Sequence, residues 1–89
     1  MIEAIQIEQI AAIVRRAGLN APMLAALREQ FSPLHFSTCL DDELGADEPF
    51  LTDEHFNLYL VDGRAHCLTL TGDLACATGV LLAEVSAHA

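Results

Sequence analysis

Apolar side chains recur at helical steps in the first third of the chain and alternate with polar ones in the middle. Ile7, Ile10, Ile13, Val14 and Ala17 fall at three- and four-residue intervals, which predicts a helix over 2–17. Ile2 and Ile5 lie beside that stripe and widen it, either for more core contact or for another subunit. Gly18 suits a helix C-terminal position in the left-handed region, and Asn20 suits the N-cap of a second helix. Pro22 then falls in the first turn, where its missing N–H costs nothing. Met23, Leu24, Leu27 and Phe31 make one face of this second helix. Two helices joined by such a short turn superficially resemble a DNA-binding unit. The second helix, however, offers only Arg28 beside Glu29 and has no basic surface to grip phosphates.

After Pro33 the period changes. Leu34, Phe36 and Leu40 alternate with His35, Ser37 and Cys39, with Thr38 in the apolar row, so 34–40 is expected to be a strand. Residues 41–54 hold Gly45, Pro49 and seven carboxylates and read as a loop. A second strand follows over 55–61, with Phe56, Leu58 and Leu60 on one face. Asp62-Gly63 signals a hairpin. A three-residue loop with a bulge would set Leu68 and Leu70 of a returning strand beside Phe56, Leu58 and Leu60, which burial favours over the alternative register. For the last segment, Leu74, Ala77, Thr78, Leu81, Leu82 and Val85 fit a helical face with Asp73 as N-cap. Gly79 and the run Val80-Leu81-Leu82 leave a fourth strand as the alternative. The expected fold is one α+β domain over 1–89, of order α-α-β-β-β-α, with helices on one side of a three-stranded antiparallel sheet.

Composition narrows the partners. The 89 residues carry a net charge of −9, with four Arg, no Lys and thirteen carboxylates. Nucleic acids and anionic membranes both need concentrated positive charge and are therefore not expected as partners. The first residues, with Glu3 and Glu8 and no basic stretch, do not read as a secretory signal. Three cysteines at scattered spacings, with no C-x-x-C, argue against a disulfide framework or a zinc ribbon. A reducing, cytoplasmic setting is the simplest expectation.

Strand alternation places His35, Ser37, Cys39, His55, Asn57, Tyr59, Cys67 and Thr69 on the sheet face away from the helices. Two readings of that face follow. Thiolate and imidazole from His35, Cys39, His55 and Cys67 could hold zinc, copper(I) or iron, although no pair has the short spacing of a structural site. With ordinary half-exposed strand residues as the simpler expectation, no cofactor is the default. His66, next to Cys67, points to the other face and suits a core-edge histidine. Alternatively Asn57, Tyr59 and Val61 form an interface for a protein partner or a homodimer. A Cys39–His35 nucleophile–base pair is too far apart for a direct hydrogen bond and has no third group to orient it, so no catalytic residues are assigned. The acidic segment lacks EF-hand spacing and reads as a solvated loop or a docking site for a basic partner.

The stretches HFSTCLDDEL, FNLYLVDGRAHCLTLTGD and ATGVLLAEV resemble a small family of uncharacterised proteobacterial proteins associated with nitrogen-fixation gene neighbourhoods. The resemblance covers about the last two-thirds of the chain and includes no catalytic signature. It implies an accessory role near a metalloenzyme and transfers no site residues.

Overall fold

The computed structural model describes residues 2–44, 47–64 and 68–85. Two helices, α1 (Ala4–Ala17) and α2 (Ala21–Gln30), precede five strands: β1 (His35–Leu40), β2 (Leu51–Thr52), β3 (Phe56–Asp62), β4 (Thr69–Thr71) and β5 (Gly79–Glu84). A 3₁₀ turn over Asp41–Glu43 follows β1.

The helical half follows the local signals closely. The Glu3 N–H donates to Gln6 Oε1 at 2.9 Å and ties the entry of α1. Gly18 ends α1 with a positive φ of 79°, its N–H donating to the Val14 carbonyl, but its ψ of 171° is extended rather than left-handed helical. Asn20 caps α2 by accepting from the Met23 N–H at 2.9 Å. Ile7, Ile10, Ala11 and Val14 of α1 and Met23 and Leu27 of α2 are buried. Ile2 joins this core and its N–H donates to the Leu74 carbonyl, whereas Ile5 is 57% exposed.

The sheet corrects the expected architecture. It is mixed and five-stranded, in the order β1-β5-β3-β2, with β4 pairing β3 beside β2. The segment 79–84 is a strand, not a helix, and it lies in the middle, parallel to β1 and antiparallel to β3. A strand buried on both faces needs no alternation, so Gly79, Val80, Leu82 and Ala83 are all buried and the run Val80-Leu81-Leu82 mimics a helical stripe. Asp73 caps a turn instead of a helix: its carboxylate accepts from the Ala75 N–H at 2.9 Å and its carbonyl from the Cys76 N–H.

The returning strand is also displaced. Val61 pairs with Leu70 and Asp62 with Thr69, so the connection runs from Gly63 to Leu68 rather than through a tight turn. The Asp62 carboxylate accepts from the Arg64 N–H and guanidinium, and the Gly63 N–H donates to Thr78 Oγ1. The chain is thereby tied to the entrance of β5 instead of folding straight back. Leu70 falls on the face of Val61, and Leu68 is 74% exposed. Neither joins Phe56, Leu58 and Leu60.

The helices cover the face bearing Phe36, Phe56, Leu58, Leu60, Val80 and Leu82, which form one core with the buried helical residues. Among the described residues, no helix is long and apolar enough to cross a membrane.

Candidate interaction surface

The register sorts the chemistry-bearing residues into rows across the sheet face opposite the helices. His35 stands beside Gly79 and then Val61, Ser37 beside Leu81 and then Tyr59, and Cys39 beside Ala83 and then Asn57. Because β5 separates β1 from β3, side chains on those two strands are about 9.5 Å apart at the backbone. His35 and Cys39 stand four residues apart on β1, about 13 Å along an extended strand. His55 precedes β3, and its imidazole is exposed and 4.0 Å from the Glu54 carboxylate. Cys67 and His66 lie outside the described residues. Thr69, opposite Asp62, is on the helix side. Among the described residues, no three His, Cys, Asp or Glu side chains gather as they would around a metal ion.

The acidic segment is not simply solvated. Since β1 and β2 stand at opposite sides of the sheet, the chain between them must cross a face, and it crosses the one without helices. There Asp41 Oδ1 accepts from Asn57 Nδ2 at 2.8 Å and from the Tyr59 hydroxyl at 3.2 Å. The Tyr59 hydroxyl also lies 3.5 Å from the Asp47 carbonyl. Tyr59 and Ala83 are buried although neither belongs to the helix-side core. Burial raises the Tyr59 pKa, and the adjacent Asp41 charge and hydrogen bond raise it further. Burial likewise pushes the Cys39 thiol up, reinforced by Glu43 and Asp41, so Cys39 is a protonated thiol at neutral pH.

Two of the three residues expected to form an interface, Asn57 and Tyr59, are thus engaged by the chain's own loop. Val61 is half-buried, and its carbonyl accepts from the Thr78 N–H.

What stays open is the edge of β1. Among the described residues this strand pairs only with β5. The His35 N–H donates to the Thr78 carbonyl, so odd-numbered residues of β1 turn their backbone groups toward β5 and even-numbered ones turn theirs outward. Two side chains meet that outward row. Arg28 Nη2 donates to the Phe36 carbonyl at 3.1 Å, and Glu43 Oε1 accepts from the Leu40 N–H at 2.9 Å. Between them lies Thr38, exposed, and Leu40 is 47% exposed. A shallow hollow of about 380 Å³ runs beside this edge, lined by Leu19, Leu24, Thr38, Leu40 and Glu43 among others.

Sequence patterning placed Thr38 in the apolar row of the strand and Glu43 in the acidic segment, and gave Arg28 no part in an interface. The available signal was Thr38 itself: a polar residue in the apolar row of a strand marks a place where the covering layer ends.

The chain belongs to a family of unknown function, DUF6129, matched over residues 8–85. That match carries neither a proteobacterial origin nor a link to nitrogen fixation. No curated protein and no solved structure matches the chain.

Proposed function

We propose that this chain is a non-catalytic interaction protein that docks through the free edge of β1. The observation that supports this reading is the outward backbone row at Phe36, Thr38 and Leu40, flanked by Arg28 and Glu43 and bordered by exposed Leu40. An unpaired strand edge is a template for another strand, giving affinity through main-chain hydrogen bonds and specificity through alternate side chains. Many proteins blunt such an edge with lysine, proline or a bulge. β1, with the sequence HFSTCL, contains neither lysine nor proline.

An accessory role beside a nitrogen-fixing metalloenzyme is the setting that the sequence resemblance supplies. Expression that rises and falls with that enzyme's genes is its matching test; independent expression removes it.

The docking reading is tested by placing a photoreactive residue at Ser37 of the full chain, with a control at Glu8 on α1. After irradiation in extract of the native host, adducts are expected from Ser37 and not from Glu8. Equal labelling from both positions, or none from Ser37, overturns the reading.

A further inference from the structure

We propose that the occupant of the β1 edge is a second copy of this chain, paired antiparallel across a two-fold axis through Thr38. The inference rests on the docking reading above and goes beyond it by naming the partner and the register.

The outward groups of β1 belong to its even-numbered residues, so any antiparallel self-pairing must set even residues against even ones. Two registers overlap the strand most fully: one with its axis at Thr38, the other at Ser37. Charge distinguishes them. Arg28 is held at the Phe36 carbonyl and Glu43 at the Leu40 N–H. With the axis at Thr38, Phe36 of one copy faces Leu40 of the other, and the two cappers of one edge meet the opposite cappers of its mate. Arg28 then stands beside the second copy's Glu43, twice by symmetry. The Phe36 carbonyl and Leu40 N–H, capped by side chains in the single chain, become each other's partners, while the two Thr38 residues exchange N–H and carbonyl bonds. With the axis at Ser37, Phe36 faces Thr38 and the charged pair falls out of step.

Apolar contacts agree with the same register. Phe36 and Leu40 share the helix-side face, so half-exposed Leu40 comes to lie beside Phe36 of the second copy. The chain has only four cations against thirteen carboxylates. Placing one of them opposite a carboxylate across the axis offsets repulsion at the point of closest approach, and salt near physiological strength screens the rest within about 8 Å.

The register makes a covalent test possible. With the axis at Thr38, Ser37 lies directly opposite Cys39 of the second copy in a non-hydrogen-bonded pair, with Cα atoms about 4.5 Å apart, inside disulfide range. The two Cys39 residues are themselves about 8 Å apart, which is too far. The purified full chain carrying Cys67→Ser and Cys76→Ser is oxidised mildly and run on a non-reducing gel. Adding Ser37→Cys should yield a covalent dimer that disappears when Cys39→Ser is also present; Cys39 alone should give none. A covalent dimer from His35→Cys instead moves the axis to Ser37 and overturns the register.

In parallel, light scattering of the unoxidised chain should show a dimer. Thr38→Pro removes an outward N–H that the single fold does not use toward β5 and should weaken association roughly thirtyfold or more, with the circular dichroism unchanged. If Thr38→Pro fails to fold, the cysteine pair still decides the question. A chain that stays monomeric and forms no Ser37–Cys39 bond overturns the second copy as occupant. If photo-adducts at Ser37 with a different protein persist in that case, the docking reading stands while this inference falls.

Discussion

The two faces of one sheet are covered in opposite ways. On one side α1 and α2 seal Phe56, Leu58, Leu60, Val80 and Leu82, each at most 1% exposed, in a wholly apolar contact. On the other, one carboxylate of a strongly acidic segment, that of Asp41, accepts from Asn57 and from Tyr59, which is buried. Apolar cover depends on volume and ignores pH; polar cover depends on geometry and charge. A chain of 89 residues cannot bury two full cores, and here it closes the second face with a loop.

Several substitutions can break or sharpen that contrast. The largest effect is expected on the helix side, where Leu58→Ala should cost about 2–5 kcal/mol, read as a lower denaturant midpoint with no pH dependence. Next is the seam that joins β1 to the rest. A Cβ on Gly79 would lie 2.6 Å from the His35 carbonyl oxygen, a backbone atom that cannot swing away. Gly79→Ala should therefore cost about 1–3 kcal/mol and speed amide exchange across β1 more than across β3. On the loop side, Asp41→Ala removes the acceptor shared by Asn57 and Tyr59 and should cost about 1–2 kcal/mol. Amide exchange should then rise over 41–44 and 47–52, with little change in α1.

The loop side should also respond to alkali. A raised folded pKa means the unfolded chain ionises its tyrosine first, so the stability tied to Tyr59 is complete below about pH 10 and is lost as pH rises through the folded value. Tyr59 is the sole tyrosine and there is no tryptophan, so phenolate absorbance reports it directly. Asp41→Asn should bring its midpoint down toward the ordinary tyrosine range; an unchanged midpoint would contradict the Asp41 contact. The smallest effect belongs to the polar contact at the rim of α1. Arg15 Nε donates to Asp53 Oδ1 at 2.6 Å and lowers the Asp53 pKa. That stability is present above the usual carboxylate pKa and is lost as pH falls through the depressed one. Arg15 is half exposed, so Arg15→Gln should cost about 0.2–1 kcal/mol, visible as an Asp53 titration moved upward.

The helices, their junction at Asn20 and the parity of β1 and β3 were legible because each rests on neighbours within a few residues. Asn20 caps Met23 through a contact three residues long, and Phe56, Leu58 and Leu60 point inward whatever pairs with them. β5 was legible only as the alternative to a helix, since burial on both faces erases the alternation that identifies a strand. Leu68 and Leu70 misled for a different reason: Asp62 binds Arg64 and Gly63 binds Thr78, which makes the connection longer than Asp-Gly suggests. As for the candidate surface, Asn57, Tyr59 and Val61 were assigned to the correct face. Nothing local, however, could show that Asp41 covers two of them.

By itself, then, the sequence determined the alternation of side chains along β1 and β3 and where the helices begin and turn. The tertiary structure alone decided that β5 lies between β1 and β3 and that β1 is left at the edge. Strand order and direction are nonlocal. They follow from which pairing buries Val80, Leu82 and Ala83 together, a choice that residues some forty positions apart make only once the chain has closed on itself.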